Sequence, residues 1–436
     1  MVETGDLASK SRIAMQRSFD FLSIGRTDLA LEQMEELEAT IRNILKKSSN
    51  KSEPTDMHYL VWILLQRSLV LLDTSDLETA RTLLEEAIEA TQASTPCRGD
   101  GHQCFCQEYA IASVALAEVT AAQGLFHSAI SRLIALSKSR TKTHEIQAHF
   151  TDAVISDLIS IWGGYMGYDS LEAKLGLRTA DKSHNRGQDL NSHWSFLMPL
   201  RGESYCLHRD RVLELIGATS ARDEASLGVP AQVLQEELRR WIEVAPYSIE
   251  ANSYLIEFLI TVAQRQIESD DFDAFVETME ITNPILSEVV NEHSDNIFFL
   301  LKSARWLCSL SRTIVYHEYR TEELYQHFYW YGVNCLETAT NLIRAIENVA
   351  AVNQAIGLRD CVATNLSALE NEMRSKPADA FMLRVRRDRI LAEILLRDPK
   401  NDWGNRLKSE YAASIVPNDP EMEQEIANWN WSILPL

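Results

Sequence analysis

Apolar residues recur at helical spacing through the first third of the chain, and short polar stretches interrupt them. Leu37, Ile41 and Ile44, for example, share one face because side chains three, four or seven positions apart lie on the same side of an α-helix. This pattern predicts three antiparallel helix pairs, which span residues 13–24 and 29–44, 58–72 and 77–93, and 104–123 and 125–136. Asp76 or Ser75 is placed to cap the second helix of the second pair.

The remainder of the chain divides into an irregular segment and a second helical segment. Between residues 163 and 230 the helical pattern breaks, and frequent Gly, Ser, Asn and Asp predict a long loop or domain junction with short helices around residues 170–175 and 205–215. Further helices are predicted over residues 251–266, 271–290, 296–311, 322–352 and 378–396. We therefore expect an all-α protein organised as residues 1–160, 161–230 and 231–436.

The three predicted pairs share residue types at corresponding positions. The shared set comprises Phe21, Gly25, Ala30, Met34 and Leu37 in the first pair, Leu71, Ser75, Leu77, Ala80, Leu84 and Ala87 in the second, and Ala117, Gly124, Phe126, Ala129 and Leu133 in the third. In these residues the chain resembles tetratricopeptide repeats. The sequence around Trp241, Pro246 and Ala251 is similar to the junction between two such repeats.

The repeat distance departs from that family. The small residues Ala30, Ala80 and Ala129 follow one another at intervals of about 50 residues, whereas the family's unit has about 34. The consensus Trp, Gly and Tyr positions in the first helix of each unit are also mostly filled by other residues, so the family's ligand-binding residues cannot be carried over to this chain. The resemblance therefore implies a fold, an α-solenoid of stacked helix pairs, and a concave surface of the kind that binds proteins.

Composition and charge narrow the choice of partner. The chain has 42 Lys and Arg against 63 Asp and Glu, a formal net charge of −21, which disfavours binding to nucleic acid or to an anionic membrane surface. It has neither an apolar run long enough to span a membrane nor an apolar segment near Met1 typical of a signal peptide. Seven scattered cysteines are typical of reduced thiols, so we expect an intracellular, most simply a cytoplasmic, protein.

Chemical motifs are sparse. The segment with Cys97, His102, Cys104 and Cys106 has the ligand types that zinc prefers, but its spacing lacks the usual second half-site and favours a loop with surface thiols. The acidic stretch that begins at Asp270 lies where a turn between helices is expected. No nucleotide-binding or serine-hydrolase motif is present, so the sequence predicts no catalytic residue and no cofactor.

Three surfaces are candidates for binding a protein partner. They are the aromatic run with Tyr325, Phe328, Tyr329 and Trp330, the basic cluster with Arg384 and Arg387, and the apolar C-terminal segment with Trp429 and Trp431. Aromatic and arginine side chains are favoured anchors of interfaces. Aromatic residues at helical spacing more often fill a core, and a cluster of basic residues more often forms a solvated helix face.

The sequence therefore predicts a non-enzymatic scaffold or adaptor that holds one or more protein partners. Two alternatives remain open at this point. One is an all-helical, metal-dependent enzyme that uses the acidic or the Cys/His residues. The other is a helical sensor domain that binds a small ligand near residues 162–194.

Overall fold

The chain is built from α-helices wherever the structure describes it. The computed structural model describes residues 2–47, 54–92, 106–138, 203–220, 228–349 and 353–372, with single positions between 155 and 163 and between 380 and 387. The helices are α1 (Val2–Ser23), α2 (Thr27–Lys47), α3 (Pro54–Asp73), α4 (Leu77–Gln92), α5 (Cys106–Ala122), α6 (Phe126–Lys138), α7 (Glu203–Ser220), α8 (Gly228–Val244), α9 (Ile249–Glu268), α10 (Phe272–Glu292), α11 (Ile297–Tyr316), α12 (Glu322–Val349) and α13 (Asn353–Glu372). The predicted all-α class is confirmed.

Contacts within the chain divide it into two compact units, which we call unit one (Met1–Leu255) and unit two (Ile256–Leu436). The division falls within α9, whereas the sequence predicted boundaries near residues 160 and 230. None of the helices within the described ranges is long and apolar enough to cross a membrane.

The first six helices form the three predicted antiparallel pairs. α1 packs against α2, α3 against α4, and α5 against α6, while α2 and α4 also pack against the first helix of the following pair. Each helix thus contacts its neighbours along the sequence, which is the arrangement of a helical repeat array. Apolar side chains of α1 to α5 form one continuous core in which Met34, Leu64 and Leu84 are fully buried.

Four turns between paired helices share one backbone geometry. Each contains a residue with positive φ, namely Gly25 (73°), Ser75 (63°), Gly124 (79°) and Asp270 (57°). In the first turn the N–H of Gly25 donates to the carbonyl of Leu22 at 3.1 Å, and the N–H of Arg26 donates to the carbonyl of Phe21 at 2.9 Å. The other three turns are closed by the same two hydrogen bonds. This is a Schellman motif, which ends a helix by placing one residue in the left-handed region.

A buried residue follows each of these turns at the same position. Ala30, Ala80 and Ala129 each donate their N–H to the carbonyl four residues earlier, and all three are fully buried. Their small side chains allow the two helices of a pair to approach closely. The corresponding position of the α9–α10 pair holds Phe275. Asp76 caps α4 as predicted, because its Oδ1 accepts a hydrogen bond from the N–H of Thr79 at 3.3 Å.

The first helices of the second and third pairs lie in the interior of unit one. Every residue from 57 to 75 on α3 and its turn, and from 108 to 124 on α5 and its turn, is buried or half-buried. α2, α4 and α6 each keep one exposed polar face instead. A groove lined by α3 and α5, such as the resemblance to tetratricopeptide repeats implies, is therefore not open to solvent.

The last helices of unit one pack against each other and return to its first helix. α7 pairs with α8, and α8 contacts α1. The turn after α8 lies against the α1–α2 turn, because a Cβ added to Gly25 would stand 3.3 Å from Cγ of Pro246. Tyr247 packs against the core of the first pairs. The turn after α8 thus contacts both the α1–α2 turn and the core of the first helix pairs.

Unit two is centred on the α11–α12 pair. The two helices cross closely at Gly332, where an added Cβ would stand 3.3 Å from Cγ2 of Ile314. α13 packs against both of them, and α10 contacts both as well. α10 and α11 begin with side-chain caps from Asp271 and Asn296. The helix predicted over residues 322–352 corresponds to α12, but the sequence did not predict α13.

Candidate protein interface

Several of the candidate residues lie outside the described residues. These are Cys97, His102, Cys104, Trp429 and Trp431. Cys106 begins α5, but its side chain is also outside them. Within the part of the chain that the structure describes, no group of three or more His, Cys, Asp and Glu residues is arranged to hold a metal ion.

The predicted aromatic run contributes first to the core of unit two. Phe328 and Tyr329 on α12 are 0% and 1% exposed. The Phe328 ring lies edge-to-face with the rings of Phe272 and Phe275 on α10, at centroid distances of 5.2 and 5.1 Å. Tyr331 approaches Phe275 in the same way at 5.0 Å. Aromatic pairs prefer this geometry. These rings therefore pack α10 against α12 and do not form a surface for a partner.

A buried carboxylate fixes the connection between α11 and α12. Asp270, in the α9–α10 turn, has an almost fully buried side chain whose Oδ2 lies 3.0 Å from Nε of Arg320 and whose Oδ1 lies 3.4 Å from Nε2 of His317. The hydroxyl of Tyr319 donates to the carbonyl of Ile314 at 2.7 Å. Burial raises the pKa of Tyr319 well above its usual range, and the nearby Tyr325 and Asp270 raise it further. The contacts of Asp270 with His317 and Arg320 hold the α11–α12 connection against the α9–α10 turn.

Other aromatic rings of the same region face solvent. Tyr316, the last residue of α11, is 59% exposed, and Trp330 on α12 is 42% exposed. The close approach of Ile314 to Gly332 places positions 316 and 330 at the same level of the antiparallel α11–α12 pair. Exposed Glu323 precedes Trp330 by about two helical turns and lies on its side of α12, and exposed Glu322 lies next to it, about 80° further around the helix. We call Tyr316, Trp330, Glu322 and Glu323 the Trp330 surface.

Tyr325 lies between the core and this surface. It is half-buried, and its ring contacts Tyr319 at 5.3 Å and Tyr329 at 6.3 Å. Trp330 also contacts Tyr329, edge-to-face at 5.0 Å. The exposed Trp330 ring is therefore braced from within by a buried ring. Such bracing lowers the loss of side-chain entropy on binding a partner.

The basic cluster does not form an exposed patch. Arg387 is fully buried and Arg384 is half-buried. Arg386, between them, forms an ion pair with Glu337 on α12. Buried guanidinium groups of this kind stabilise packing, so the proposed contact surface does not include them.

The sequence analysis missed a charged network within unit one. Arg67 on α3 forms ion pairs with Glu38 and, at 2.6 Å, with Glu35, both on α2. Arg42 on α2 contacts Glu38 at 2.7 Å and Glu86 on α4 at 2.6 Å. The hydrogen bond with Glu86 is the main cause that raises the pKa of Arg42. The sequence did contain a signal for this network. Arg67 lies within the apolar run of α3, and a buried charge requires a partner.

A second network joins α7 to the start of α9. The Tyr205 hydroxyl donates to Oε2 of Glu250 at 2.8 Å, and Nε of Arg209 donates to Oε1 of the same carboxylate at 2.9 Å. The Tyr205 ring also packs edge-to-face on Trp241 at 5.5 Å. Burial raises the pKa of the adjacent Asp210. Both oxygens of Glu250 accept hydrogen bonds, so this carboxylate acts as a brace between helices.

The comparisons with known proteins supply no family. No protein-family model matches this sequence, and no curated protein matches it significantly. One solved structure that matches is a circular tandem repeat protein with a novel repeat topology and enhanced subunit contact surfaces. The likeness covers 92% of this chain and 99% of that chain, at 13% identity and a TM-score of 0.28. Because that TM-score is too low to establish a common fold, nothing about this chain follows from the likeness.

Proposed function

We propose that this protein is a non-enzymatic scaffold that binds a protein partner, and that its helix pairs are a divergent form of the tetratricopeptide repeat. The turns and the buried alanines of the first three pairs support the second part. A helical repeat array is a rigid support that displays side chains at fixed spacing, and such arrays commonly serve as binding surfaces.

The observation that carries the proposal is the exposure of Trp330 and Tyr316 above a buried aromatic cluster. Large exposed aromatic side chains are energetically costly in water unless another surface covers them, and they are frequent hot spots of interfaces. The described side chains of α3 and α5, over residues 57–73 and 108–122, are all buried or half-buried, so we place the contact on unit two instead.

The chemistry of the Trp330 surface favours a basic partner. Glu322 and Glu323 are exposed about two helical turns from Trp330, and the chain as a whole carries a net charge of −21. One basic side chain of the partner would pair with these carboxylates, and a second would lie over the face of the Trp330 ring. Unit two already contains such a contact, since Nζ of Lys302 lies 5.1 Å from the ring centroid of Trp306. We therefore propose a partner segment with basic residues next to apolar ones.

The test compares proteins retained from extracts of the cells that produce this chain. The bait variants are the wild type, the double variant Trp330→Ser and Tyr316→Ser, and the control Ile24→Ser, which removes an apolar side chain that is 69% exposed in unit one. A stoichiometric partner should be retained by the wild type and the control and fall roughly tenfold or more with the double variant. Its binding should also weaken as salt is raised.

Equal retention by all three baits, or no stoichiometric partner at all, would contradict this assignment. A fourth bait, truncated after Pro420, tests whether Trp429 and Trp431 also contact the partner. Selective loss of the partner with the truncated bait would assign the contact to that segment. Circular dichroism of each variant shows that the helices are intact.

A further inference from the structure

Three cysteines of unit two lie on three helices that pack together. Cys308 is on α11, Cys335 on α12 and Cys361 on α13, and these helices contact one another pairwise. Cys308 and Cys335 are buried, whereas Cys361 is half-buried. The scaffold function proposed above uses none of these thiols.

Two of the three cysteines contact one buried side chain. The pKa of the Cys308 thiol is raised by the neighbouring Cys361 side chain and by burial. Asn365, one turn after Cys361, holds the arrangement: its Nδ2 donates to the carbonyl of Cys308 at 3.1 Å and lies 3.9 Å from Sγ of Cys361. Asn365 is 2% exposed, so a buried amide bridges the two helices at this point. The thiols are thus held together by the helix packing and by a side chain that contacts both residues.

We propose that Cys308 and Cys361 form an oxidisable dithiol, which a peroxide converts into a disulfide between α11 and α13. The half-buried Cys361 is the thiol that an oxidant reaches first. The buried Cys308 is the partner that closes the bond, because the Asn365 amide contacts both its carbonyl and the Cys361 sulfur.

The reaction proceeds in two balanced steps. The Cys361 thiol first loses its proton to solvent, and its sulfur attacks one oxygen of hydrogen peroxide. A sulfur–oxygen bond forms, the oxygen–oxygen bond breaks, and the departing hydroxide takes up a proton and leaves as water. The Cys308 sulfur then attacks the sulfenic acid. A sulfur–sulfur bond forms, the sulfur–oxygen bond breaks, and the Cys308 proton leaves with the hydroxide as a second water.

The surroundings assign different roles to the three sulfurs. The neighbouring Cys361 side chain, together with burial, raises the pKa of Cys308, so Cys308 remains a protonated thiol until the sulfenic acid forms. Burial raises the pKa of Cys335 to about 12 and leaves it poorly reactive. Cys361 is the only one of the three that is half-buried, and Nδ2 of Asn365 lies 3.9 Å from its sulfur. Cys335 is therefore a matched control within the same core.

The experiment treats the folded full-length protein with a small excess of hydrogen peroxide. Remaining thiols are then alkylated in denaturant, and the protein is digested without reductant and analysed by mass spectrometry. We expect one dominant cross-linked peptide pair that contains Cys308 and Cys361, with a mass about 2 Da below the sum of the two reduced peptides. Reductant should restore both thiols.

Three variants extend the test. Cys335→Ser should retain the cross-link, Cys361→Ser should leave Cys308 reduced, and Cys308→Ser should increase dimedone labelling of Cys361 because its sulfenic acid then has no resolving thiol. The wild-type result stands without them if a buried substitution prevents folding. The proposal is overturned if both thiols of the folded wild type stay alkylatable after peroxide, or if Cys308 is joined to Cys335 instead of Cys361.

Discussion

The charged network of unit one offers the sharpest test of what stabilises this array. The perturbation is Arg67→Met, which keeps an unbranched apolar stem and removes the guanidinium group. The Arg67 and Glu38 side chains are each 11% exposed, so the variant leaves a nearly buried carboxylate that keeps its ion pair with Arg42 at 2.7 Å. Glu35, at 61% exposure, is solvated without help.

The expected loss follows from burial. Removing one partner of a buried ion pair typically costs about 3 to 5 kcal/mol, whereas an exposed pair contributes little. Because Glu38 keeps Arg42, we expect the lower end, about 3 kcal/mol. Arg26→Met is the control: Arg26 and Asp28 form a pair at 2.6 Å, but their side chains are 52% and 63% exposed, so no measurable change is expected.

Hydrogen exchange read on peptides of α2 and α3 is the appropriate assay, because it reports on unit one alone. A loss of about 3 kcal/mol corresponds to roughly 100-fold faster exchange of the slowest amides. The double variant Arg67→Met with Glu38→Met should exchange more slowly than Arg67→Met, since it leaves no uncompensated charge. Less than threefold acceleration in Arg67→Met, or a double variant that exchanges faster still, would refute the reasoning.

Three further predictions concern single sites. Gly25→Ala should lower the free energy of unfolding by about 1 kcal/mol, because Gly25 has a φ of +73° and a residue with a Cβ is strained in this left-handed region. An unchanged midpoint of urea unfolding would contradict the positive φ assigned to this turn. Phe275 is 0% exposed, so Phe275→Ala should lower the free energy of unfolding in urea by about 3 to 5 kcal/mol. Ile281 is 41% exposed, so Ile281→Ala should lower it by less than about 1 kcal/mol. Similar losses in the two variants would contradict the assigned core. Burial lowers the pKa of His293 from 6.5 to about 4 in the folded protein. As pH falls, this histidine is therefore protonated in the unfolded chain at a higher pH than in the folded one. Stability should fall by about 3 kcal/mol as pH drops from 6.5 to 4, and His293→Asn should remove that dependence in pH-dependent urea titrations.

The paired helices were predictable because their determinants are local. Apolar spacing fixes the buried face of α2, α4 and α6, and a residue that tolerates positive φ fixes the end of the helix before it. Gly25, Gly124 and the capping residue Asp76 carry this information within a few positions. The pair α9–α10 was predicted by the same signals.

The placement of side chains on the candidate interface was less predictable because it depends on distant segments. Phe328 and Trp330 are two residues apart, yet one is in the core and the other in solvent. The choice is made by Phe272 and Phe275 on α10, which pack on the former. The ion pairs of Arg67 likewise join two helices, α2 and α3. Which residues of these helices lie opposite each other cannot be inferred from the sequence of either helix alone.

The contact of α8 with α1 has a consequence for synthesis of the chain. The turn at Pro246 contacts the turn at Gly25 only after 221 further residues have left the ribosome. At roughly 5 to 20 residues per second, the nascent α1–α2 pair waits about 10 to 45 s for this contact. During that interval the apolar surface against which Tyr247 later packs is available to chaperones. The packing that completes unit one thus also sets the earliest moment at which chaperones can release it in its final form.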